Sequence, residues 1–123
     1  MAIKYNVIEG RGKVVALLEG TEMDAINLIR KRSQGCLDVS EMDWARMRNR
    51  YTASVTCDPE DEFSVVVGKE KAKARLLDKY DRDMARVIGH LGCMAETVYS
   101  TYDSCCEYMD KRVDRAEQRR AQG

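Results

Sequence analysis

Arg50-Tyr51-Thr52-Ala53-Ser54-Val55-Thr56-Cys57-Asp58-Pro59-Glu60-Asp61-Glu62-Phe63 is where the chain changes its period. Up to Cys57 the residues alternate. Met47, Tyr51, Ala53, Val55 and Cys57 fall on one side, interrupted by Asn49, and Arg48, Arg50, Thr52, Ser54 and Thr56 fall on the other. That is a strand over 47–57 with one dry face and one wet face, as antiparallel sheets allow. Asp58-Pro59-Glu60-Asp61 breaks it, because proline removes a ladder donor and Asp favours a turn. From Ser64 onward apolar residues return at three- and four-residue steps. Leu77, Tyr80, Met84, Val87 and Leu91 form one such series, and Val98, Tyr102, Cys105, Met109 and Val113 form another. The sequence predicts helices near 65–89 and 93–119. Gly89 and Gly92 lie between them, each costing about 1 kcal/mol against alanine inside a helix. An antiparallel helical hairpin is therefore favoured over one long rod.

Upstream, Ile3, Tyr5 and Val7 alternate with Lys4 and Asn6, and Lys13 to Leu18 is a β-branched return segment. Gly10-Arg11-Gly12 between them supplies a hairpin signal, so 2–9 and 12–18 pair antiparallel. Thr21 and Asp24 resemble a capping box, and Met23, Ile26 and Ile29 form a helical stripe ended by Gly35. A helix near 22–34 follows. Ser40-Glu41-Met42-Asp43 predicts a short helical turn holding Trp44. The expected fold is α+β: a small antiparallel β-β-α-β layer over 1–57, then two long C-terminal helices within 64–119. At 123 residues the whole forms one domain. Its core is expected to join Ile26, Ile29, Val55, Leu77, Met84, Val98 and Tyr102.

Apolar residues make up 44% and charged residues 34%, a globular composition with a heavily charged surface. The longest apolar run, Val14 to Leu18, falls far short of the roughly 18 residues a membrane span needs. No signal-peptide pattern opens the chain. Five cysteines, an odd count, fit a reducing compartment, so the expected location is the cytoplasm. Net charge is zero: residues 1–57 hold nine Lys and Arg against seven Asp and Glu, and 58–123 hold twelve against fourteen. That balance suits neither a histone-like DNA coater nor an acidic DNA mimic.

No phosphate loop, nucleophile elbow or dinucleotide fingerprint occurs. His90-x-x-Cys93 with Cys105-Cys106 offers zinc-type ligands at a spacing no common zinc module uses, and His90 is the only imidazole base. No enzyme activity, metal or cofactor is expected. The vicinal pair Cys105-Cys106 cannot turn both thiols to one core. The candidate partner-binding residues are Trp44, Arg46, Arg48 and Arg50, with the acidic turn Glu60, Asp61 and Glu62. The three arginines share one strand face at roughly 6.8 Å steps, similar to phosphate spacing along a nucleic-acid strand. Arginine and large aromatics also anchor protein interfaces. The bland alternatives are a charge-protected edge strand and an acidic turn that favours the positive end of the next helix. Tyr99, Tyr102 and Tyr108, with the heptad-like spacing running on from Leu77, make a homodimer through the C-terminal helices a further option.

The stretch Arg50 to Phe63, followed by Gly68-Lys69, Ala72, Arg75 and Leu76, resembles small uncharacterised proteins encoded by phages and prophages of Gram-positive bacteria. The resemblance covers about residues 50–77. It implies a strand, a Cys-x-Pro-Glu-Asp-x-Phe type turn and a long charged helix, with no chemistry attached. Small phage accessory proteins often act by stoichiometric binding, and anti-CRISPR proteins are one such group. The resemblance implies a phage context and makes an inhibitor of a host defence complex, acting on a host protein or nucleoprotein complex, the leading expectation. The alternative is a nucleic-acid-binding phage accessory or regulatory protein.

Overall fold

The structure is a computed structural model that describes residues 2–123. Three strands, β1 (Lys4–Ile8), β2 (Lys13–Glu19) and β3 (Arg50–Thr56), form an antiparallel sheet in the order β1-β2-β3. Helix α1 (Asp24–Arg32) follows β2, a 3-10 turn (Asp43–Ala45) precedes β3, and helix α2 (Val65–Gln122) follows it. The chain divides into two compact units, one ending at Ile88 and one spanning Gly89–Gly123.

The first unit holds the sheet, and its inner face follows the period-2 pattern. Val14, Ala16 and Leu18 of β2 are buried, as are Tyr51 and Ala53 of β3. The buried residues of α2 in this unit are Gly68, Ala72, Leu76, Tyr80 and Val87. Small residues at Gly68 and Ala72 let the helix backbone approach the sheet. A Cβ added at Gly68 would come within 2.7 Å of a Val14 methyl. Ser64 precedes the first residue of the helix, and its Oγ accepts the Val67 amide at 3.3 Å, an N-cap bond. Residues 50–77 therefore build a strand–turn–helix junction. Phe63 lies close to both Gly12 and Gly68, and the Cys57 amide donates to the Gly12 carbonyl at 2.7 Å.

Several expectations are corrected. There is no C-terminal helical hairpin: α2 runs unbroken from Val65 to Gln122, through Gly89 and Gly92. Glycine lowers helix stability without terminating it. Strong helix formers such as Ala85, Leu91, Met94 and Ala95 flank the pair, and the only proline in the chain is Pro59. Val98 and Tyr102 do not join the core and are 66% and 63% exposed. Val55, Leu77 and Met84 are half-buried, whereas Ile26 and Ile29 are buried as expected.

The third strand begins at Arg50, not residue 47. Residues 47–49 instead bond to the turn after β2: Met47 N–H to Glu22 O at 3.1 Å, Gly20 N–H to Asn49 O at 2.9 Å, and Thr21 Oγ to Arg48 O. That last bond takes the hydroxyl expected to cap α1, so no capping box forms. At the other end of α1, Gln34 takes the left-handed conformation (φ +53°) one residue before Gly35. Gly35 N–H bonds Arg30 O at 2.9 Å and Gln34 N–H bonds Lys31 O at 3.2 Å, a Schellman stop.

Candidate macromolecular interface

The register that buries one face of the sheet aligns another set of residues on the opposite face. Lys4, Leu17 and Thr52 form one cross-strand row, Asn6, Val15 and Ser54 the next, and Ile8, Lys13 and Thr56 a third. Glu19 pairs with Arg50 at the end. Along β2 these residues alternate with the fully buried ones, and Val15 and Leu17 remain only half-buried. They floor a shallow depression of about 190 Å³ rimmed by Lys4, Tyr5, Asn6, Arg50 and Thr52. The face as a whole is mixed: the aliphatics Ile8, Val15 and Leu17, one amide, three hydroxyls, three cations and the Glu19 carboxylate. Among the described residues, none of those cations (Lys4, Lys13, Arg50) forms an ion pair.

The sequence-predicted basic residues divide between surroundings. Arg50 belongs to this open face, as the first residue of β3. Arg46 and Arg48 precede the strand, so the even phosphate-like ladder expected of the three arginines does not form. Arg46 reaches Glu22 at 3.5 Å, and Arg48 reaches Asp83 of α2 at 3.6 Å. Trp44 sits half-buried in the 3-10 turn. The Arg86 guanidinium donates to the Trp44 and Arg46 carbonyls, both at 3.3 Å. This corner is thus fastened to α2.

Further along, Lys79 Nζ donates to Thr52 O at 2.7 Å and the Arg75 guanidinium to Ser54 O at 3.0 Å. With Arg86 they form a series of α2 cations that occupy carbonyls along β3 and the segment before it. Such capping blunts an edge strand against pairing with another strand. The spacing of Arg75, Lys79 and Arg86 was visible in the sequence, but it reads there as a solvated helix face.

The acidic turn lies at the other end of β3. Glu60, Asp61 and Glu62 are exposed. Asp58 organises them: its carboxylate accepts the Glu60 amide at 3.1 Å and its carbonyl accepts the Asp61 amide at 2.9 Å. Seven residues of β3 separate this turn from Arg46 and Arg48, a run of roughly 20 Å. The structure therefore does not bring the acidic turn together with the arginines and Trp44. A groove of about 380 Å³ opens beside the turn, lined by Cys57, Asp61, Phe63, Gly68 and Lys71 among others. The Cys57 thiol faces the Asp58 and Asp61 carbonyls at 3.4 and 3.7 Å. Among the described residues no three metal-ligating side chains converge, and no helix is long and apolar enough to cross a membrane.

Two phenols stiffen the body beneath the interface. Tyr51 and Tyr80 meet edge to face at 5.6 Å between ring centroids. Tyr51 donates to the Asp83 carboxylate at 2.5 Å and Tyr80 to Asp24 at 2.7 Å. Burial, with the Asp83 carboxylate adding, pushes the Tyr51 phenol up to about 12. The Tyr80 phenol is raised further, by burial and then by Asp24. Asp83 thus links Tyr51 and Arg48, a role no sequence motif marked. No protein-family model, curated protein or solved structure matches the chain.

Proposed function

We propose that this chain is a non-enzymatic binding protein that inhibits a host defence complex, such as a CRISPR effector, by docking on it stoichiometrically. The docking surface in this reading is the open face of the sheet, centred on Val15 and Leu17 and rimmed by Lys4, Lys13 and Arg50. The observation that carries it is the charge of that face: three cations that form no ion pair among the described residues share it with a half-buried aliphatic floor. A complementary partner is an acidic protein surface with a small apolar projection. The rows of this face carry hydroxyls and aliphatics, and one aromatic, Tyr5, borders the depression. Single-stranded nucleic acid is held by stacking on several successive aromatics, and this site offers one beside an aliphatic floor, so protein is the favoured partner. The choice of a defence complex rests on the resemblance of residues 50–77 to phage accessory proteins.

The test is direct mixing. Purified chain and a purified effector complex should co-elute from size exclusion at a fixed ratio, and free duplex DNA should neither shift nor compete at physiological salt. A DNA shift that fades steeply as salt rises would favour the nucleic-acid reading instead. Absence of both would remove the proposal.

A further inference from the structure

The second unit repeats every seven residues. Tyr99, Cys106 and Val113 recur at that interval, and so do Ala95, Tyr102, Met109 and Ala116. Interleaved, the two sets step by four and three along α2 for three heptads, the spacing of a two-stranded coiled-coil seam. Their large members are open to solvent: Tyr99 is 67% exposed, Tyr102 63% and Met109 53%. Charge repeats in the same frame. Glu96, Asp103, Asp110 and Glu117 form a column on one flank of the seam, one carboxylate per heptad. The opposite flank carries Val98, Cys105, Arg112 and Arg119. Among the described residues, none of these carboxylates or arginines forms an ion pair within the chain. Arg112 lies over the Tyr108 ring and donates to its hydroxyl at 3.3 Å.

We propose that this face is covered by a second copy of the chain, in a parallel, in-register, two-stranded coiled coil over residues 95–120. The flanking charges select the orientation. In a parallel pair the acidic column of one helix lies against the arginine-bearing column of the other, so Arg112 meets the partner's Glu117, five residues on. In an antiparallel pair the two acidic columns face each other, and like charges at those positions repel. A strict seven-residue repeat also fixes a left-handed supercoil. Cys106 then sits in the seam opposite its own counterpart, while Cys105 lies on the flank. This inference goes beyond the proposed function and uses no residue of the sheet.

Sedimentation equilibrium of the full chain tests it. Wild type should be a concentration-dependent dimer. Met109→Glu should make it monomeric without changing the melting of the sheet-bearing unit. Because Met109→Glu also places a charge on a helix, a charge exchange supplies the second test. Arg112→Glu and Glu117→Arg should each raise the dimer dissociation constant several-fold, and the two together should restore it. With an added copper–phenanthroline oxidant, a variant keeping only Cys106 should cross-link between chains far more than one keeping only Cys105. A chain monomeric at high micromolar concentration would overturn the proposal. So would a dimer indifferent to Met109→Glu, failure of the double exchange to restore affinity, or equal cross-linking at Cys105 and Cys106.

Discussion

Tyr51 and Tyr80 each bury a ring and must satisfy one hydroxyl, and each does so on a carboxylate of a different helix. A bond to an ionised acceptor contributes more than a neutral one, so Tyr51→Phe should lower stability by about 1–2 kcal/mol, read by chemical denaturation at neutral pH. Burial of the phenol, and then this bond, set a pH dependence. The Tyr51 phenol is raised from 10.0 to about 12 in the folded chain. Its contribution is fully present below the unfolded value and is lost as pH rises through the folded one. Wild type should lose stability on going above about pH 10, and Tyr51→Phe should lose less. Equal alkaline slopes for the two would show that Tyr51 is not the group responsible. None of this was legible in the sequence. Tyr51 could be placed on the dry face by period alone, but its carboxylate partner lies 32 positions away in another element.

The three glycines of helix α2 sit in two kinds of surroundings. Gly68 lies against a buried, β-branched Val14 with no room for a methyl, whereas Gly89 and Gly92 have nothing within 4 Å of an added Cβ. Gly68→Ala should therefore destabilise the chain by about 1–2 kcal/mol despite its gain in helix propensity, because overpacking a stiff neighbour outweighs it. Gly89→Ala and Gly92→Ala should each stabilise the helix by about 0.5–1 kcal/mol and raise helical circular dichroism. A hairpin at that point would give the opposite result, since a turn needs the glycines. The sequence showed where helix replaced strand, because hydrophobic period reports local structure. It did not show whether the helix turned back, because glycine marks both turns and tolerated weak points. The open face of the sheet was missed for a related reason. Val14 to Leu18 reads as an unbroken apolar run, so β2 looks buried on both sides, when Val15 and Leu17 are only half-covered.

At the scale of the whole molecule, zero net charge conceals segregation: unpaired cations on the open sheet face, and an acidic column along the seam of the second unit. The candidate residues named from sequence shared charge and an aromatic, but only Arg50 lies on the open face. Arg46 and Arg48 are engaged by Glu22 and Asp83, and reversing them should cost stability as well as any binding. Lys13→Glu with Arg50→Glu removes no ion pair, and exposed substitutions of that kind change stability by about 0.5 kcal/mol or less. Relief of CRISPR interference in cells, scored as plasmid transformation efficiency, tests the central claim most directly. Wild type should restore transformation and the Lys13→Glu/Arg50→Glu chain, equally folded and expressed, should not. A wild-type chain without effect, or a double reversal as active as wild type, would contradict it.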